Sequence, residues 1–298
     1  MRLTVVTLIG YGEAGHILAQ DLVVQGVQVK AYDRLIDTPK TRAVLEKKAA
    51  MSGVQLFTSA GEAVQGAALV ISAVTAGSAL AVAQAVATTL QAGQVFMDIN
   101  SVAPSTKQAA HNVLHVSGAC YVDAAVMAPL PPQRLQTPML LGGALADELS
   151  LALNALGFNT RVVACEVGIA SAIKMCRSVM IKGLEALTTE CLTTARHYGA
   201  EQEVLASLHK SFPSLGWDAD LPHYLISRVA EHGRRRAEEM EEVAQTVCGA
   251  GIEPTMSRAI ATTQRALVDE LARHDLHYAD LNPFDWQHLA QLLRDRKK

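Results

Sequence analysis

Gly10-Tyr11-Gly12-Glu13-Ala14-Gly15 follows directly on the apolar run Leu3–Ile9 and leads straight into a stretch with helical patterning. A strand feeding a glycine-tight turn aims the free N–H groups of the next helix's first turn at an anion, typically a dinucleotide pyrophosphate. On this reading Gly10 permits the turn, Gly12 lets phosphates approach the backbone, and Gly15 lets the helix lie close to the strand. Tyr11, Glu13 and Ala14 complete the turn and join the cofactor-contact candidates. Asp33 ends the next apolar run, 18 residues after Gly15, where an acid accepts hydrogen bonds from the adenosine ribose hydroxyls. The alternative is a glycine turn that merely packs a helix, and the strand-turn-helix-acid order weighs against it. Asp33 repels a 2′-phosphate and so favours NAD, whereas its neighbour Arg34 can pair with that phosphate and keeps NADP open.

The surrounding segments support the same plan. Leu3–Ile9, Val27–Tyr32, Val54–Phe57, Ala68–Val74 and Gln94–Ile99 read as strands rich in β-branched residues. Glu13–Gln25, Lys40–Met51 and Ser78–Leu90 lie between them as helices. Such alternation predicts a parallel sheet with helices on both faces, a doubly wound α/β domain. Tyr121–Val126 and Met139–Leu141 read as added strands at its far edge. From Val167 onward the strand signal disappears, and helical patterns cover 168–198, 201–210, 228–248, 254–273 and 284–295. The expected division is a dinucleotide-binding domain over 1–165 and an all-α domain over 166–298.

Composition narrows the classes of function. With 298 residues, 50% hydrophobic, the chain can bury two substantial cores. The net charge of −3 and the single basic cluster Arg234-Arg235-Arg236, followed at once by glutamates, argue against nucleic-acid binding. That cluster reads as a solvated or partner-facing helix surface. No uncharged apolar run reaches membrane-spanning length, and a strand begins almost at the N-terminus, so neither a membrane segment nor a signal peptide is expected. The five dispersed cysteines, 120, 165, 176, 191 and 248, show no metal spacing and read as small reduced core residues of a cytoplasmic protein. No metal site is expected.

The stretch from Gly168 to Lys174 is apolar nearly all round, the pattern of a buried helix. Ser171, Lys174, Ser178 and Glu185 nevertheless fall on one helical face. A lysine amid Ala172, Ile173, Met175 and Cys176 either loses hydration and serves as a general acid/base or snorkels to water. The residues alone leave both open.

Four segments, in order, carry a resemblance to a known family. They are the glycine turn, Asp98-Ile99-Asn100-Ser101 with Pro104, Val122-Asp123-Ala124-Ala125-Val126, and Gly168 with Lys174 six residues on. The whole chain resembles the β-hydroxyacid dehydrogenases, the family of 6-phosphogluconate and 3-hydroxyisobutyrate dehydrogenases. It looks closest to the phosphogluconate-dehydrogenase-like branch with a C-terminal domain of its own type. The resemblance implies a Rossmann-type first domain and Lys174 as the catalytic lysine. It places Ser101 and its neighbours near the nicotinamide, and sets the segment from Asp123 to Pro129 against substrate; Val74 and Thr75 are further cofactor-contact candidates. It also implies a homodimer formed through the helical half.

The departures from the family pattern bear on the substrate. A serine and two glycines that hold the substrate carboxylate are here Met127, Ala128 and Pro129, and proline has no N–H to donate. The paired asparagines after the lysine become Arg177 and Ser178. Ser178 remains a partner for a substrate hydroxyl and joins Lys174 as a catalytic candidate, while Arg177 is a replacement carboxylate clamp or a solvent-facing side chain. The family's later lysine–aspartate motif has no clear counterpart, with Arg228, Arg235 and Arg236 as candidate substitutes. The expected activity is oxidation of a hydroxy acid or related secondary alcohol by a small-molecule dehydrogenase. An imine or ketone reductase and a non-catalytic NAD-binding sensor are the alternatives.

Overall fold

The computed structural model describes residues 1–217 and 219–295. Two compact units divide the chain, Met1–Met175 and Cys176–Lys298.

The first unit follows the alternation read from the sequence. Its elements are β1 (Val5–Ile9), α1 (Glu13–Val24), β2 (Gln28–Tyr32), α2 (Pro39–Met51), β3 (Gln55–Leu56), α3 (Ala60–Val64), β4 (Leu69–Ser72) and α4 (Ala79–Val86). They continue as β5 (Val95–Asp98), α5 (Pro104–His115), β6 (Cys120–Val126), α6 (Leu130–Gln133), β7 (Pro138–Gly142), α7 (Ala146–Ala155) and β8 (Asn159–Ala164). The eight strands form one sheet in the order β3-β2-β1-β4-β5-β6-β7-β8. Pairing is parallel from β3 to β6; β7 then runs antiparallel to β6, and β8 runs parallel to β7. The order reverses between β1 and β4, which opens a crevice at the carboxyl ends of those strands, the usual ligand position in such sheets.

Residues alternate between the two faces of the central strands. Leu8, Ile71 and Met97 pack in one apolar cluster, and Ile9, Val70 and Phe96 in the other. Burial on both faces explains why these strands read as near-continuous apolar runs. The sheet extends one strand beyond the expected edge. β8 carries Asn159, Thr160 and Arg161 and is half-exposed, so it lacked the apolar signature of the inner strands.

The second unit is helical. It is built from α8 (Ile169–His197), whose first turns belong to the first unit, α9 (Glu201–Ser211), α10 (Leu221–Gly249), α11 (Thr255–Arg273) and α12 (Trp286–Asp295). α10 begins seven residues before the expected 228 because Pro222 suits a helix's first turn. Leu192, Ile226, Val229, Leu271, Trp286 and Leu289 form its core. α10 and α11 meet closely at Gly233, where a Cβ would stand 2.3 Å from the Gln264 carbonyl oxygen.

Three expectations are corrected. The stretch Gly168–Lys174 is not buried all round: Ile169 and Ile173 are exposed, as are Met180, Ile181, Leu184 and Leu187 further along α8, while Ser171, Ser178, Lys182 and Glu185 are buried. The polar stripe faces inward because its members pair with one another and with neighbouring elements. The cysteines are not core residues either, since four of the five lie exposed on helix or loop surfaces and only Cys120 is half-buried. Arg236, expected on a solvated surface with Arg234 and Arg235, turns inward toward Glu185.

Candidate active site

The glycine turn sits at the carboxyl end of β1, in the crevice where the strand order reverses. Gly10 has φ of +94°, and an added Cβ would meet the Ala73 carbonyl oxygen at 2.3 Å. A Cβ on Gly15 would lie 2.0 Å from the Gly10 carbonyl oxygen, so the helix packs onto the turn itself. A Cβ on Gly12 would meet nothing within 4 Å. Two glycines are thus required by the protein's own packing, while the middle one faces open space at the helix N-terminus. The first N–H groups of α1 have no partner within the helix, and that arrangement fits a pyrophosphate.

Asp33 ties the turn to the residues that follow β2. Its Oδ2 accepts the Tyr11 N–H at 2.8 Å and its Oδ1 accepts the Leu35 N–H at 3.0 Å, and each oxygen keeps accepting capacity. Arg34 beside it is exposed. Tyr11 is fully buried, its hydroxyl against His16 Nδ1 at 3.1 Å, whereas Glu13 is exposed and Ala14 half-buried at the turn.

The carboxyl ends of β4 and β5 are tied by Asn100. Its Oδ1 accepts the Val74 N–H at 2.6 Å, and its Nδ2 donates to Ser72 Oγ at 2.9 Å. Asn100 thereby fixes Val74 and Thr75 on one side and Ser101 on the other. Lys174 Nζ donates to Ser101 Oγ at 2.5 Å, with both residues half-buried. The lysine and serine that resemblance set near the reacting groups therefore touch.

Asp123 points into the protein. It was expected to contact substrate, but it is fully buried and its carboxylate is committed. Oδ2 accepts the Gly168 and Ser171 N–H groups at 3.1 and 3.0 Å, and Oδ1 accepts the Ser171 hydroxyl at 2.6 Å. A carboxylate so placed caps the start of α8 and positions the helix that carries Lys174.

Behind it lies Lys107, also fully buried and not singled out by the sequence reading. Its Nζ donates to the Asp98 carbonyl oxygen at 2.6 Å and stands 3.0 Å from Asp98 Oδ1 and 3.4 Å from Asp123 Oδ1. The Tyr121 hydroxyl donates to Asp98 Oδ2 at 2.7 Å, and burial beside that carboxylate holds the phenol well above its usual range. A lysine three residues into a helix that begins with proline gives no sequence cue to this role. Only the fold brings β5, β6 and α5 together around it.

Of the remaining predicted residues, Met127 and Ala128 are half-buried and Pro129 is exposed. Met127 packs against the cluster of Ala125, Leu140 and Ala170, so this wall is apolar. In the second unit Ser178 is buried with Lys182 Nζ 3.5 Å from its Oγ, and Arg177 is exposed. Lys182 pairs with Glu239 at 2.6 Å and Arg236 with Glu185 at 2.6 Å. Burial raises the Glu185 carboxyl against the opposing pull of Arg236. Arg228 pairs with Glu231 and Arg235 with Glu239, so all three arginines proposed as substitute anion partners are already engaged. No described helix is long and apolar enough to cross a membrane.

Comparison with known proteins bears on the family and the fold. Residues 5–144 match the NAD binding domain of 6-phosphogluconate dehydrogenase, and residues 195–267 match a domain of unknown function, DUF1932. A conserved hypothetical protein from Sinorhizobium meliloti 1021 is 36% identical, with a TM-score of 0.79 over 99% of this chain and 97% of that one. A conserved protein of unknown function, whose structure revealed similarity to 3-hydroxyacid dehydrogenases, is 32% identical. It gives a TM-score of 0.69 over 89% of this chain and 97% of its own. The 3-hydroxyisobutyrate dehydrogenase of Mycobacterium tuberculosis shares the fold at 18% identity, with a TM-score of 0.68 over 98% and 99% of the two chains. The glycine turn, the Ser101–Lys174 contact and these likenesses together place the chain in the β-hydroxyacid dehydrogenase family, in the branch that joins a 6-phosphogluconate-dehydrogenase-type NAD-binding domain to a distinct helical C-terminal domain.

Proposed function

We propose that this protein is an NAD-dependent dehydrogenase acting on the CH–OH group of a hydroxy acid or related secondary alcohol, with Lys174 as general acid/base. The observation that carries the reading is the 2.5 Å contact between Lys174 Nζ and Ser101 Oγ at the carboxyl ends of the strands. NAD supplies the hydride acceptor when bound. Lys174 takes the hydroxyl proton in oxidation and returns it to the carbonyl oxygen in reduction. Ser101 holds the lysine until the substrate hydroxyl takes its place, and Ser178, one helical turn on, offers a second hydroxyl for orientation.

The substrate is bulkier and less anionic than 6-phosphogluconate. The apolar wall at Met127 and the missing N–H at Pro129 support this, as do the engaged arginines of α10. Arg177, exposed on α8, is the clamp for a single carboxylate. The exposed row Met180, Ile181, Leu184 and Leu187 on α8 suits burial against a second copy of the chain, giving a homodimer. Five unpaired cysteines suit a reducing cytoplasm.

The test is a panel of hydroxy acids, sugar acids, ketones and imines, followed at 340 nm with both cofactors. Turnover of a hydroxy acid is expected, and Lys174→Ala should lower kcat by about two orders of magnitude with NADH affinity unchanged. A Lys174→Ala variant of full activity, or strong turnover of 6-phosphogluconate, contradicts the corresponding part of the reading. Cofactor binding without turnover of any compound would favour the sensor.

A further inference from the structure

We propose that Lys48 is a positioning residue of the dinucleotide turn, holding two of its carbonyls so that the turn's N–H groups face the pyrophosphate. Lys48 lies near the end of α2, remote in sequence from the glycines. Its Nζ donates to the Tyr11 carbonyl oxygen at 3.0 Å and to the Gly12 carbonyl oxygen at 3.1 Å. The ammonium also sits over the Tyr11 ring, 4.9 Å from its centroid.

The two carbonyls belong to the peptide units whose nitrogens are those of Gly12 and Glu13. In a planar trans peptide the C=O and N–H point in opposite directions. A cation that fixes both carbonyls therefore turns the Gly12 and Glu13 N–H groups the other way, toward the open space beside Gly12. It also polarises those amides and makes them stronger donors to an anion. Asp33 completes the arrangement from β2 by accepting the Tyr11 N–H. The peptide units around Tyr11 are thus held by a carboxylate at one end and an ammonium at the other. Burial lowers the Lys48 pKa, and the Asp33 charge opposes that shift.

The test needs only the cofactor. Lys48→Met keeps the aliphatic stem on Tyr11 and removes the donors, Lys48→Arg restores a donor, and Lys47→Met removes an exposed neighbouring charge. The dissociation constant for NADH is read from nicotinamide fluorescence, and hydrogen exchange across residues 10–15 is read without cofactor. Lys48→Met should weaken NADH binding about tenfold and speed that exchange, as expected for loss of a charge-assisted hydrogen bond at a partly exposed site. Lys48→Arg should recover most of both, and Lys47→Met should change neither. An unchanged dissociation constant overturns the proposal. So does weaker binding with unchanged exchange, because Lys48 would then act as a charge on the cofactor rather than through the turn. An equal effect from Lys47→Met overturns it too. If Lys48→Met melts early, Lys48→Leu takes its place in the same comparison.

Discussion

Lys107→Met tests whether the buried ion network behind the site holds the first unit together. Lys107, Asp98 and Asp123 are each at most 1% exposed, so the substitution leaves two carboxylates enclosed without their cation. It removes the contacts at 2.6, 3.0 and 3.4 Å, while the donors from Tyr121, Asn100, Gly168 and Ser171 remain. Removing one partner of a buried ion pair typically costs about 3–5 kcal/mol. For a unit of this size that amounts to a fall in Tm of roughly 6–20 °C. Urea unfolding followed by far-UV circular dichroism gives the measurement. Both tryptophans, Trp217 and Trp286, belong to the second unit, so their fluorescence reports that unit beside the overall signal. Adding Asp123→Asn to Lys107→Met should recover part of the loss, because one stranded charge is then gone. A loss below about 1 kcal/mol, or strict additivity of the pair, would refute the reasoning that these charges depend on one another.

Gly12→Ala and Gly15→Ala should separate the two duties of the turn. The Gly12 variant keeps its melting temperature and loses NADH affinity, since its Cβ enters only open space; the Gly15 variant unfolds early, since its Cβ meets a carbonyl at 2.0 Å. Calorimetry with and without NADH distinguishes them, and equal behaviour of both variants counts against the assignment. Tyr121→Phe should flatten the alkaline loss of stability. The folded phenol is raised above the ordinary value of 10.0, so its contribution is present below that pH and fades as the unfolded chain ionises above it. A Phe variant with the same alkaline slope as the parent would contradict this.

The local patterns were legible because they arise from short-range physics. β1, the glycine turn and α1 read correctly since a buried parallel strand needs a near-continuous apolar run and a tight turn needs glycine. The shared face of Ser171, Ser178 and Glu185 on α8 followed from helical periodicity, its turning inward did not, and Lys174 stood out by resemblance. β8 was missed because a half-exposed strand of six residues carries little apolar signal. The motif around Asp123 gives the order of its residues and not which way its carboxylate points. The partners of Asp123, Gly168 and Ser171, stand 45 and 48 positions away. Lys48, 36 positions beyond Gly12, and Lys107, 16 before Asp123, owe their roles to strand order and helix placement. Which charges meet in a low-dielectric interior depends on distances that the chain acquires only when the sheet forms, so those pairings were decided by the tertiary structure alone.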